Sequence, residues 1–463
     1  MSYAPQVVLL EFNELCPSFL SDFISRGLLP NFKALYEDAT IYITDADEDP
    51  PNLEPWIQWF TMHSGLQYDD HKVHLLGDGR KFDGPLLAQL LSDAGVRCGI
   101  FGSMNTNYEK LDGYFIPDPW DTKAAAHPSW LAPFYDTVAK QVQESSREDS
   151  FTKADMAKFG MFLAQNGLKM STAWNAAKQI LDEKKTNGGV HWRRACTLEH
   201  LSYDLFRQLN KKFDVQFATF FANSTAHFQH YYWRNMDPDP FQIPPSEEDH
   251  PSLKGAIQYG YESMDRLIGK VLADYPDSTI ILATALSQQP WDTKKCTFRP
   301  RGFDELLAFA GVTDEYDVKP VMAEQFHVVF EDAAAARKNA DKLAALHVEG
   351  SDELMSVRVE DNQLFSGCSI TDYGYLDKPV TNSSGDQKRF DELFYMIHGL
   401  RSGRHHCDGA FWVRNGKHRI VEQKIPLVHV APAILNEFDT PVPDFMLTSD
   451  ADLHRLEESP VPA

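Results

Sequence analysis

The chain has 463 residues, with 43% hydrophobic and 12% aromatic against 24% charged residues, a globular rather than disordered or fibrous composition. Lys plus Arg number 44 against 67 Asp plus Glu, and the resulting formal charge of -23 repels phosphate backbones and anionic headgroups over most of the surface, which excludes nucleic acid as a principal partner. No stretch approaches the ~20 apolar residues that cross a bilayer. The start MSYAPQVVLLEFNE has no basic leader region, so no membrane partner and a cytoplasmic location are expected. Cys16, Cys98, Cys196, Cys296, Cys368 and Cys407 are widely scattered, with no C-x-x-C, and read as reduced thiols.

Val7 to Leu10 is an unbroken apolar run ending in polar Glu11, Asn13 and Glu14, the pattern of a strand buried on both faces that delivers side chains at its C-terminal end. Ligand sites of α/β sheets lie at such ends. PSFLSDFISRGLLPNFKALYEDA has helical spacing broken by Gly27 and Pro30, and the helix PLLAQLLSDAG leads into a strand from Val96 to Phe101, giving βαβ rhythm. Residues 120–210 are polar and mostly helical, with alternating charges that read as solvated faces.

Further buried strands are expected from Val215 to Phe221 and Thr279 to Ala283, separated by the Pro-rich loop MDPDPFQIPPSEEDHP, and a late helix around Pro432 to Asn436. Between them, QFHVVF, AAAARKNADKLAALH and LMSVRVEDNQLF read as a small β-α-β cap. The expectation is an α/β protein, three layers α/β/α around a mostly parallel sheet. Its core spans residues 1–295 with the helical insertion and returns over 376–463, and the cap occupies 296–375.

The order of these pieces resembles the alkaline phosphatase superfamily, in its type I phosphodiesterase and nucleotide pyrophosphatase branch. VVLLEFNEL with GLLPNFKALYEDA is similar to that branch's opening strand and G-x-L-P-N-L segment, and EPWIQWFTMHSGLQYDDHKV to its nucleophile segment. STAHFQHYYWRNMDP is similar to T-D-x-x-Q-H-x-x-W-R-x-M-D-P, the most specific match. SGRHHCDGAFWVRNG resembles the final His motif, and IPLVHVAPAILNEFDTPVPDFM the closing segment.

The resemblance implies two divalent cations held by Asp and His, with a hydroxyl or modified Cys between them. This sequence departs from that pattern at several ligand positions. The Asp of the opening strand is matched by Asn13, or by Glu11 with a slip of two; the Asp before His230 is Ala226; the Asp-His pair after the central strand falls on Ala285 and Leu286; and PPNLEPW offers Glu54 and Asn52 in place of a hydroxyl. Methyl and isobutyl groups donate no lone pair to a hard cation. At most one divalent metal, of the zinc or iron class, or none, is therefore expected.

The candidate ligands are His230, His406 (or its neighbour His405), Glu54 and Glu11. Glu54 is a ligand or a general base, since a carboxylate beside Trp56 and Trp59 is placed to take a proton near neutrality. Asn13, Trp56 and Gln288 are candidate substrate contacts, although Asn13 also suits a helix cap and Trp56 a core position. His63, His71 and His74 lie near Asp69, Asp70 and Asp78 but lack zinc spacing. The expected function is hydrolysis or group transfer on a small polar metabolite, phosphate- or sulfate-ester-like. The alternative is a non-catalytic binding or scaffold protein, and an ordinary two-metal phosphodiesterase ranks third.

Overall fold

The computed structural model describes residues 4–108, 111–121, 123–143, 152–245, 249–321, 324–397 and 399–446. Five apolar runs become the middle of a nine-stranded sheet. Its order is Arg419–Ile420, Ala39–Asp45, Asp408–Arg414, Thr279–Ala283, Val7–Phe12, Phe217–Ala222, Cys98–Phe101 and Gly113–Ile116, with Ile425–Pro426 beside Ala39–Asp45. Pairings are parallel except along Asp408–Arg414, which runs antiparallel to both neighbours. The expected α/β class with a mostly parallel sheet is what the chain adopts.

Every residue of Val7–Phe12 is buried, because both faces of the strand are covered. Val7 and Leu9 join a core with Trp59, Phe60, Leu87 and Val430. The opposite parity points the other way, and Phe12 meets Phe32 edge to face, ring centroids 6.5 Å apart. The helices divide likewise into two groups. Pro55–Ser64, Leu87–Asp93 and Val430–Glu437 pack together, as do Pro17–Ser25, Pro30–Glu37, Arg194–Phe213, Ser224–Met236 and Ala256–Asp274. These are the two outer layers of the sandwich.

A second compact unit contains the described residues of Trp291–Ser402. Its four-stranded antiparallel sheet runs Met355–Glu360, Gln363–Cys368, Phe326–Phe330, Tyr316–Pro320, with helix Ala333–Ala344 packed on it. Residues 376–402, assigned by sequence to the returning core, fall in this unit because Phe394–Ile397 pairs with Thr297–Pro300. The six cysteines are free thiols. Among the described residues no helix is long and apolar enough to cross a membrane.

Candidate functional site

Four structural units, one of them a pair of strands, deliver polar side chains to the C-terminal end of Val7–Phe12. The strand stops at Asn13, and Glu14 turns the chain in the left-handed region at φ 61°, a conformation that costs a non-glycine residue and is worth reading for function. Asn13 fixes that turn from both sides. Its Oδ1 accepts from Trp59 Nε1 at 2.7 Å, and its Nδ2 donates to Glu14 Oε1 at 2.8 Å and Asn223 Oδ1 at 2.7 Å. Gln229 Nε2 donates to the Glu14 carbonyl at 2.8 Å.

Helix Ser224–Met236 carries His230. Its first turn is capped from outside by Glu199, which accepts from Asn223 N, Ser224 N and Ser224 Oγ at 2.7–2.8 Å. The helix ends at Asp237, the residue before Pro238, where the α conformation is disfavoured. The third segment is an antiparallel pair, Ser287–Pro290 with Gly403–His406, whose register sets His405 opposite Gln288. Residues directly opposite share a face, so both point at Glu14. Gly403 is the only residue type that fits there, since a Cβ would come within 2.3 Å of Gln288 Oε1 and 2.5 Å of the Gln229 carbonyl. The fourth segment supplies Glu54, at the N-cap of Pro55–Ser64.

The side chains converge. His230 Nε2 lies 3.2 Å and His405 Nε2 3.5 Å from the same oxygen, Glu14 Oε2. The two rings are 5.0 Å apart and nearly perpendicular. Each presents its other nitrogen outward: His230 Nδ1 to the Gly403 carbonyl at 3.1 Å, and His405 Nδ1 toward Glu54 Oε2 at 3.5 Å. Gln288 Nε2 donates to Glu14 Oε2 and to the Ala226 carbonyl. Burial pushes the Glu14 carboxyl up, but the charges of His405 and His230, with hydrogen bonds from His230 and Gln288, outweigh it and hold the pKa at about 2. Glu14 is thus ionised at neutral pH.

This donor set fits one divalent cation. For zinc, bonds of about 2.0–2.1 Å at tetrahedral angles give ligand-to-ligand edges of about 3.3–3.4 Å, and the two imidazole-to-carboxylate separations bracket that value. Two imidazoles and one carboxylate also suit iron. The outward contacts of both rings are those that orient metal-binding histidines, a carbonyl for one and a carboxylate for the other. At the positions where the resemblance would put further ligands, Ala226, Ala285 and Leu286 are buried and apolar. A second cation has no donors from them.

The geometry brings together His230, Glu54 and Gln288 from the sequence reading, and adds Glu14 and His405 in place of Glu11 and His406. Glu11 is still inside the strand, so its side chain faces helix Pro55–Ser64, where His63 Nε2 lies 2.8 Å from Glu11 Oε1 with both residues fully buried. His406 alternates away from His405, and its Nδ1 accepts from Asp408 N at 3.1 Å. Asn13 positions Glu14 rather than capping a helix. Trp56 donates its indole N–H to the His74 carbonyl at 3.0 Å. His71 bonds Thr61 Oγ1 and Val73 N, so the His63, His71 and His74 set does not converge. Glu14 carried one signal in the sequence, a carboxylate just beyond a buried strand; the choice between His405 and His406 required the strand register.

No protein-family model matches the chain, and no curated protein matches it in sequence. Among solved structures, phosphonoacetate hydrolase from Sinorhizobium meliloti 1021 is similar in two complexes. That with phosphonoformate is 12% identical with a TM-score of 0.38, and that with phosphonoacetate 10% identical with a TM-score of 0.39. Each alignment covers 93% of this chain and 94% of the other. Likeness of this degree bears on neither chemistry nor substrate.

Proposed function

We propose that this chain is a hydrolase or group-transfer enzyme that uses a single divalent metal, of the zinc or iron class, bound by Glu14, His230 and His405, and acts on a small polar ester. The observation that carries the reading is the pair of imidazole Nε2 atoms meeting one carboxylate oxygen while both Nδ1 atoms are tied behind them. A cation so held supplies Lewis acidity and lowers the pKa of a bound water. Glu14 contributes the negative charge, and Asn13 and Gln288 keep its carboxylate in place.

Glu54 has two roles open to it, orienting His405 and accepting a proton at the mouth of the site. Both need its carboxylate. The rings of His230 and His405 keep 18% and 15% of their surface exposed, so the cluster faces an entry path while Glu14 beneath it is sealed. The substrate class, phosphate- or sulfate-ester-like, rests on the motif resemblance around His230 and the closing segment.

The test is turnover of chromogenic phosphate monoesters, phosphodiesters and sulfate esters by protein loaded with zinc or iron(II). Activity on at least one class is expected, abolished by chelator, restored by metal and lowered about 10- to 100-fold by Glu54→Gln. A second reading, a ligand-binding protein without turnover, is favoured by the internal satisfaction of Glu14 by Asn13 and Gln288. Metal binding with no turnover of any of these esters would select it.

A further inference from the structure

Helix Met170–Lys185 is amphipathic in the inverted sense. Its buried residues are Thr172, Gln179 and Glu183. Gln179 Nε2 donates to Glu183 Oε1 at 3.1 Å and to the Val190 carbonyl at 2.8 Å, and Glu183 accepts from Arg194 at 2.6–3.0 Å. The face turned outward is the apolar one: Met170 is 85% exposed, Trp174 70% and Leu181 52%. With Ala177 these follow a 4-3-4 spacing, one stripe of a helix. Ile180 borders the stripe, and Met156 and Met161 of the preceding helix, Lys153–Gln165, are also exposed. Single exposed apolar residues are ordinary, whereas a contiguous stripe marks a contact surface.

Charge selects the occupant. Residues 153–185 hold six lysines and three carboxylates, a net +3 in a chain of -23. Of those carboxylates on the outer helix, Glu183 is held by Arg194 and Asp182 lies 3.6 Å from Lys185, while Lys178, Lys184 and Lys185 flank the stripe in exposed positions. A second copy laid parallel along the stripe would set these lysines against their own equivalents, and one laid antiparallel would bring the two Lys178 side chains together at its centre, a like-charge contact in either case. An anionic lipid surface meets no such opposition. Tryptophan favours the bilayer interface, lysines reach past an apolar face to headgroups, and flexible methionines need no matching shape. The acidic remainder does not cancel this, because charges beyond a Debye length of about 8 Å are largely screened.

We propose that the outward face of Met170–Lys185 docks on the anionic surface of a lipid bilayer. The whole-chain charge that argues against lipid contact elsewhere does not describe this segment. The test is cosedimentation of the full chain with phosphatidylcholine vesicles with and without phosphatidylserine. Binding is expected only with phosphatidylserine, weakening as salt rises. The charge reversal Lys178→Glu, Lys184→Glu, Lys185→Glu should lower the bound fraction at least about tenfold. Trp174→Ser with Leu181→Ser should lower it too, with thermal stability unchanged because these side chains face solvent. No sedimentation at low salt, or equal binding by wild type and both variants, overturns the proposal. So does a dimer in ultracentrifugation that Trp174→Ser with Leu181→Ser converts to monomer, which would make the face an interface between copies.

Discussion

Two carboxylates three residues apart meet imidazoles in opposite surroundings. Glu11 faces His63 inside the core, both without solvent exposure, and at 2.8 Å the two groups are in close contact without an aligned hydrogen bond. Glu14 faces His230 and His405 at the strand end, under rings that reach solvent, and its oxygens take hydrogen bonds from Asn13 and Gln288. The first pair is sealed from solvent and has no opening through which a ligand could reach it. The second has an opening, two nitrogens aimed at one oxygen, and supporting contacts behind each ring. Residue type alone does not distinguish a structural pair from a reactive one; access and the direction of the lone pairs do.

The contrast breaks most sharply under paired alanine substitutions. His230→Ala should weaken zinc affinity more than about 100-fold, exceeding the 10- to 100-fold typical of outer-shell contacts, with a smaller loss of stability than His63→Ala because His405, Asn13 and Gln288 still hold the Glu14 carboxylate. His63→Ala should do the reverse. It leaves the Glu11 carboxylate buried opposite a void, a change that costs about 3–5 kcal/mol, while the metal affinity of the folded fraction stays that of wild type. Urea unfolding and competitive metal titration on both variants measure this; equal stability losses would erase the distinction.

A smaller effect separates a third carboxylate. Glu199, which caps the helix bearing His230, has no imidazole partner among the described residues, and burial raises its carboxyl to about 7 against the hydrogen bonds from Ser224 and Asn223. A raised carboxyl keeps its proton in the folded state between 4.5 and 7, where the unfolded chain has lost it. Its contribution is therefore complete below 4.5 and declines as pH rises through 7. Glu199→Gln should flatten that part of the stability profile and leave the protein folded. An unchanged slope would assign the pH dependence to another group.

Much of the architecture was legible because buried parallel strands are unbroken apolar runs: Val7 to Leu10 and Thr279 to Ala283 read directly as the centre of the sheet. His230 and Glu54 were legible because they lie in segments with motif likeness. Glu14 was obscured by the left-handed turn that aims it, since a positive φ at a non-glycine residue leaves no mark in residue type. His405 was obscured by strand alternation, where a shift of one residue exchanges the two faces and only the pairing with Ser287–Pro290 sets the phase. The outward apolar stripe of Met170–Lys185 looked like a solvated insertion because its spacing is that of any amphipathic helix, and sequence does not say which face is inward.

The central claim is that Glu14, His230 and His405 form one cation site. Elemental analysis of zinc-loaded, dialysed protein tests it most directly, comparing wild type with His405→Ala and His406→Ala. One equivalent per chain is expected in wild type and in His406→Ala, and none in His405→Ala. Two equivalents or none in wild type, or loss in His406→Ala with retention in His405→Ala, would contradict it.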